Sequence, residues 1–206
     1  MKQKCQELLI TLALSLLGLP AAWAIEEPVQ LTSGQVSGVE LESGVKVFRG
    51  IPFAAPPVGD LRWQPPQPVI EWSGVLVAES YGPICMQQRT TALMSEDCLY
   101  LNVWTKAKSR DEKKPVMVWI HGGGWSSGAS VNLGSSSTAI TGTYDGEAFA
   151  DNGVILVSAN YRMNSFGFMA HPALSAESEH GVSGNYGILD HIAALEWVRD
   201  NIEAFG

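Results

Sequence analysis

The sequence predicts an α/β fold, and three stretches carry that prediction. Val116-Met117-Val118-Trp119-Ile120 is an unbroken apolar run of strand length with no polar face, which suits a parallel strand covered on both sides. Val154-Ile155-Leu156-Val157-Ser158 is a second run of the same kind. From about Tyr186 to Phe205, Ile188, Ile192, Leu195, Val198 and Ile202 recur at spacings of four, three, three and four, which stacks them on one helix face. Asp190, Glu196, Arg199, Asp200 and Glu203 are left for the other sides. Strand, loop with short helix, strand, loop and helix is α/β order. With 206 residues, 46% of them hydrophobic and 17% charged, the chain is about one ordinary domain, and it carries no internal repeat.

The first 24 residues stand apart. Lys2 and Lys4 precede 18 uncharged residues, Leu8 to Ile25, and Ala22-Trp23-Ala24 supplies a small-x-small cleavage pattern. This predicts a secretory signal peptide over residues 1–24, cleaved after Ala24, with 25–206 as the folded portion. An uncleaved anchor is the competing reading, since 18 residues reach the lower limit for a bilayer span. Pro20 and the Ala-x-Ala site argue against it, so no stable membrane anchor is expected. Cys5 precedes the apolar stretch and is not placed like a lipid-modified cysteine.

The whole chain has a net charge of −8; loss of Lys2, Lys4 and Glu7 leaves 11 basic against 20 acidic side chains, or −9. Such a surface repels phosphate backbones, which excludes nucleic acid as a partner class. The mixed run Lys106 to Lys114 reads as a solvated loop between strands. Cys85 and Cys98 remain after cleavage, with 12 residues between them. An even pair in an exported protein suggests a disulfide, of about 3 kcal/mol in the chain-entropy model; two buried thiols are the alternative.

From Val29 to Arg49, apolar runs broken by Ser33-Gly34, Ser37-Gly38 and Ser43-Gly44 read as small antiparallel strands. The proline-rich segment that follows forbids a regular element. Phe48, Phe53, Trp63 and Trp72 make it too apolar for a linker, so it should wrap the sheet. Cys98 to Trp104 is a strand rich in β-formers, and a short helix is expected near Glu147 to Asp151.

The most informative stretch is His121-Gly122-Gly123-Gly124-Trp125, directly after the first apolar strand. Three glycines leave the peptide N–H groups open to a ligand atom, and a run of such donors cradles negative charge. The plainer reading is a tight turn. His-Gly-Gly-Gly after a strand is, however, the oxyanion-loop motif of α/β-hydrolase lipases and esterases. Among the other histidines, His171 and His180 look like loop residues and His191 flanks the apolar helix face. No pair has metal-ligand spacing, so no metal and no cofactor are expected.

Six segments in order resemble the type-B carboxylesterase family. They are Arg49-Gly50-Ile51-Pro52-Phe53-Ala54, Pro56-Pro57-Val58-Gly59, Glu96-Asp97-Cys98-Leu99-Tyr100-Leu101-Asn102-Val103-Trp104, the His121 loop, Ala159-Asn160-Tyr161-Arg162, and Gly184-Asn185-Tyr186-Gly187-Ile188-Leu189-Asp190. The resemblance implies the N-terminal part of an α/β-hydrolase fold, with antiparallel strands leading into a mostly parallel sheet with crossover helices. It implies oxyanion-hole N–H groups on Gly123 and Gly124, a Cys85–Cys98 bridge, and structural ion pairs Arg62–Glu96 and Arg162–Asp190. It also implies hydrolysis of a small-molecule carboxylic ester by a serine, a histidine and a carboxylate.

The serine of such an enzyme sits on a strained Gly-x-Ser-x-Gly turn between strand and helix. The expectation is that no such pentapeptide occurs in the chain: the nearest candidates, Ser130 and Ser183, do not have glycines at both flanking offsets, and neither sits between a buried strand and a long helix. By resemblance the triad lies beyond Gly206, and the 206 residues alone should be inactive, poorly soluble and readily proteolysed, with Val154 to Ser158 or a neighbour left as an exposed apolar edge and the face of the last helix short of cover. A binding or adhesion protein on the same scaffold is the alternative. Trp125 and Tyr144 suit many esters, so no particular ester is favoured, nor periplasm over medium.

Overall fold

A computed structural model describes residues 25, 27–88, 92–131 and 145–206. The expected signal peptide and Tyr144 lie outside the described residues. Among the described residues the architecture is a five-stranded mixed sheet with two small satellites of strand pairing. β1 (Val29–Leu31) and β2 (Gly34–Ser37) form an antiparallel hairpin, and β5 (Val75–Val77) joins β2 in parallel. β6 (Ile84–Cys85) and β7 (Met94–Ser95) make a two-residue parallel pair that joins the first of the two cysteines to the loop between them.

The main sheet runs β3 (Val39–Glu40), β4 (Lys46–Pro52), β8 (Tyr100–Thr105), β10 (Ile155–Ala159), β9 (Val116–Ile120). The first four are antiparallel neighbours, and β10 lies parallel to β9 with Ile155 opposite Val116 and Ala159 opposite Ile120. Parallel neighbours need a crossover. Here it contains α1 (Glu147–Asp151), which packs on β8 and β10. The β4–β8 register shifts between Phe48 and Ile51, leaving Gly50 N–H to donate to Asn102 Oδ1 at 2.9 Å. That bulge is the physical content of the Arg49-Gly50-Ile51-Pro52 motif.

α2 (Asn164–Phe168), α3 (Pro172–Glu177) and α4 (Tyr186–Asn201) follow β10, and a 3₁₀ turn, Ile202–Phe205, extends α4. The principal core lies between the sheet and α4. Phe48, Leu101, Val103, Val157, Trp197 and Phe205 share it, with Phe48 and Phe205 edge-on at 4.9 Å. Phe53 and Trp72 from the proline-rich segment reach the same core, so that segment wraps the sheet.

Two expectations are corrected. β9 is not covered on both sides among the described residues: it is the outer strand, with Met117 43% and Ile120 44% exposed. The exposed edge expected at Val154 to Ser158 or a neighbour falls on the neighbour: β10 is an inner strand, with all five residues buried. The helix period is turned inward only in part: Val198 is buried and Ile202 packs on the core, while Ile188, Ile192 and Leu195 are exposed and Tyr186, Asp190, Ala194, Trp197 and Asn201 complete the inner side. Periodicity located the helix, but the side packed inward is chosen by Trp197 and by polar groups with buried partners.

Candidate oxyanion loop

The end of β9 and the end of β10 lie side by side because the two strands are parallel neighbours. Each releases its chain in the same direction, so His121 to Gly124 emerges beside Asn160 to Arg162. His121 stacks on Tyr161 with ring centroids 4.2 Å apart, and the Tyr161 hydroxyl donates to the His121 carbonyl at 3.0 Å. The His121 Nδ1–H donates to Gly122 O at 3.0 Å, which leaves Nε2 as a buried acceptor with no partner among the described residues. Burial, aided by the charge of His191, pushes His121 down to about 4 against the pull of the Gly122 carbonyl. It is therefore neutral at pH 7 and serves as a structural root of the loop.

Beyond His121 the backbone takes a conformation that explains the glycines. Gly123, at φ 121°, has Ser127 O where a Cβ would be, 1.7 Å away. Gly128, at φ 130°, has the same relation to His121 Nδ1 at 2.1 Å. The tail of the loop thus folds back onto its root, and only bare backbone fits at both contacts. The Gly123 carbonyl accepts from the N–H groups of Ser126 and Ser127, both at 3.2 Å, and from Ser126 Oγ at 3.0 Å. Among the described residues, the N–H groups of Gly123 and Gly124 have no acceptor. Nothing lies within 4 Å of the position a Cβ would take on Gly124. The result is two open donors on a backbone fixed from behind.

Side chains from three other segments fix it. Asn164 N–H donates to Trp125 O at 2.9 Å and its Nδ2 donates to Ser126 O at 3.0 Å. Asn160 Oδ1 accepts from Ser130 N–H at 2.9 Å, and Asn160 Nδ2 donates to Cys98 O and Pro83 O, each at 3.1 Å. Asn102 Nδ2 reaches Ser130 Oγ and Ser158 Oγ. Trp125 packs on Phe168 at 5.1 Å while remaining about half exposed, so it both braces the loop and presents an apolar surface.

The two ion pairs differ in burial. Arg162 Nη2 donates to Asp190 Oδ1 at 2.7 Å and Nε to Oδ2 at 2.9 Å; Arg162 N–H adds a bond to Oδ2 at 2.9 Å, and Nη1 donates to Gln64 O at 2.9 Å. This pair locks the end of β10 to α4 and to the proline-rich segment. Arg62 Nη2 donates to Glu96 Oε1 at 2.7 Å in a more open setting, raising the Arg62 pKa through that hydrogen bond and its charge. Cys85 and Cys98 are joined by a disulfide beside this pair. His171 caps α3 by accepting from Ala173 N–H, and His180 is exposed. Among the described residues, no cluster could hold a metal ion, and no helix is long and apolar enough to cross a membrane.

Sequence reasoning missed two things. A Gly-x-Ser-x-Gly string does occur, at Gly124-Trp125-Ser126-Ser127-Gly128. It is not a turn from strand to helix: it forms the loop tail, and the Ser126 hydroxyl donates back to Gly123 O rather than to a histidine. Ser130 is buried in the Asn102–Ser158 network, and Ser183 bonds His171 and Ser175. The second omission is Gln87, whose amide grips Gly128; its only sequence signal is its place two residues after Cys85.

Known proteins share these features. A family model described as the carboxylesterase family matches residues 26–206. The chain is 44% identical over 203 residues to the fumonisin B1 esterase of Sphingopyxis macrogoltabida, covering 95% of this chain and 36% of that one. It is 43% identical to the acetylcholinesterase of Electrophorus electricus, covering 84% and 28%. A solved carboxylesterase of Geobacillus stearothermophilus superposes with a TM-score of 0.74 at 46% identity, over 86% of this chain and 35% of that one. The chain spans about a third of the length of these relatives. The sheet, crossover and α4 are accordingly part of an α/β-hydrolase fold. With the loop, the signature segments and the superposition all in agreement, the chain belongs to the carboxylesterase family.

Proposed function

We propose that residues 1–206 are the N-terminal part of an exported carboxylic-ester hydrolase that works through an acyl-enzyme. The observation that carries this reading is the pair of open N–H donors on Gly123 and Gly124, held by a strapped backbone at the ends of two parallel strands. A serine attacking an ester carbonyl turns its oxygen into an anion, and fixed donors aimed at that anion each lower the barrier by about 3–4 kcal/mol. A histidine takes the serine proton and returns it to the departing alcohol, and a carboxylate orients the histidine. Water then releases the acyl group by the same route in reverse. The serine, histidine and carboxylate belong to polypeptide outside these residues, and the 206 residues alone do not turn over ester. Export rests on the Lys2, Lys4, apolar stretch and Ala22-Trp23-Ala24 pattern.

The test uses the gene product isolated from its native source. Its intact mass should lie well above the 22.2 kDa of the 206 residues. It should hydrolyse p-nitrophenyl butyrate, and an alkyl fluorophosphonate should label a single serine outside residues 1–206. Its first residue should be Ile25. An inactive product, or a label on Ser126 or Ser130, overturns the catalytic reading; an uncleaved product retained in the cytoplasm overturns export alone.

A further inference from the structure

Gln87 lies in the loop closed by the Cys85–Cys98 disulfide, and its side chain is committed to one backbone position of the oxyanion loop. Its Oε1 accepts from Gly128 N–H at 2.9 Å, and its Nε2 donates to Gly128 O at 2.7 Å. Nε2 also donates to Cys85 O at 3.2 Å, which ties the amide to the bridged cysteine itself. Both polar ends of the amide are therefore used, and a planar side-chain amide with two opposed contacts fixes a peptide's position and its tilt.

Gly128 is the point at which such a grip matters. It sits against His121 Nδ1 and Gly122 O, and Ser127 O abuts Gly123. Moving Gly128 would move the Ser126–Ser127 tail, whose N–H groups hold the Gly123 carbonyl. The Gly123–Gly124 peptide, which presents the Gly124 donor, would rotate with that carbonyl because the peptide is planar. A second strap comes from the same side: Asn164 Nδ2 bridges Met86 O at 3.4 Å and Ser126 O at 3.0 Å. The short cystine loop is thus joined to the oxyanion loop directly through Gln87 and indirectly through Asn164. Among the described residues the cystine loop is held by the disulfide, the β6–β7 pair, the Asn160 bond to Cys98 O and the Arg62–Glu96 ion pair.

We infer that Gln87 is a positioning residue for ester hydrolysis, holding the Gly123 and Gly124 donors in register through Gly128, and that the Cys85–Cys98 bridge holds Gln87 in place. The inference rests on the oxyanion role proposed above. Misplacement of reacting groups by about 1 Å costs on the order of 10²-fold in rate. A loss confined to the transition state appears in kcat with KM nearly unchanged.

The experiment compares the full gene product with Gln87→Ala, Gln87→Glu and the Cys85→Ala, Cys98→Ala pair. Gln87→Glu keeps an acceptor for Gly128 N–H but faces Gly128 O with a second oxygen, so it probes the grip without changing side-chain size. Expected for all three is a fall in kcat of about 10²-fold with KM within about twofold, and a parallel loss of affinity for a trifluoromethyl ketone that forms a tetrahedral adduct. Amide hydrogen exchange should rise over residues 121–128 and not over α4. Wild-type kcat in Gln87→Ala and Gln87→Glu overturns the inference while leaving the esterase reading intact, and an unaffected cysteine variant overturns the role of the bridge. If the wild-type product is inactive, the esterase reading falls, and exchange over 121–128 alone decides whether Gln87 and the bridge order the loop. Should Gln87→Ala fail to fold, Gln87→Glu carries the same readouts.

Discussion

Two regions on opposite sides of α4 invert the usual placement of residue types. On the inner side Arg162 and Asp190 are buried, Asp190 completely, with Asn102, Ser130, Ser158, Asn160 and Asn201 nearby in the interior. On the outer side Ile188, Ile192 and Leu195 lie open, as do Met117 and Ile120 on the edge strand. The buried charges and amides are tolerated because they find partners: Asp190 accepts four hydrogen bonds, all from Arg162, and Asn160 uses both ends of its amide. The lesson is that this interior is specified by polar geometry close to the loop, while apolar side chains alone do not say which surface of a helix or strand is covered.

Breaking the inner region should have the largest effect. Asp190→Ala leaves the Arg162 guanidinium buried without its carboxylate, which costs about 3–5 kcal/mol. Urea unfolding of the purified protein should show that loss as a lower midpoint with an unchanged slope. Replacing both partners together, Arg162→Met with Asp190→Leu, removes the unpaired charge and should recover much of it. Equal destabilisation by the single and double variants would show that the pair's geometry, not the stranded charge, dominates.

Acid sharpens the contrast, because His121 is the buried group in the inner region that must stay neutral. Its pKa falls from about 6.5 in the unfolded chain to about 4 here, chiefly through burial. Between those values the unfolded state binds more protons, so stability rises with pH and is lost as pH falls from 6.5 toward 4. The full loss below pH 4 is about 3 kcal/mol. His191, also lowered by burial but raised by Asp190, adds to the same trend, whereas the raised Tyr161 is silent in acid. Measured as the difference between wild type and His121→Gln, the slope between pH 4 and 6.5 should flatten in the variant. An unchanged slope would remove His121 as its source.

How much of this was legible follows from the same physics. The His-Gly-Gly-Gly run announced the loop, and at Gly123 only glycine tolerates the Ser127 carbonyl oxygen that presses in. β10 and the span of α4 were legible from apolar length and period. The inward face of α4 was not, because Asp190 and Asn201 are buried through partners distant in sequence, Arg162 and Thr32. Gln87 was invisible for the same reason: a side-chain amide 41 residues from Gly128 carries no periodic signal. The cover expected over β9 failed since an apolar strand is equally apolar at an edge.

The smallest expected effect belongs to the outer region. Ile192→Lys and Leu195→Lys remove no core contact in the 206-residue chain, and exposed substitutions of this kind change stability by no more than about 0.5 kcal/mol. On the same helix Trp197→Ala should cost about 3–5 kcal/mol, because its indole fills the core against Phe205. What the lysines should change is association: an exposed apolar helix face drives chains together, and charge on that face opposes it. Light scattering of the 206-residue chain should therefore fall in Ile192→Lys and Leu195→Lys at unchanged urea midpoint. In the full gene product the two measurements separate what covers this face. If the same lysine variants lower the urea midpoint there by a kilocalorie or more while leaving the 206-residue chain untouched, the outer face of α4 is interior in the complete molecule, and its isoleucines were a true core pattern read from only part of the chain.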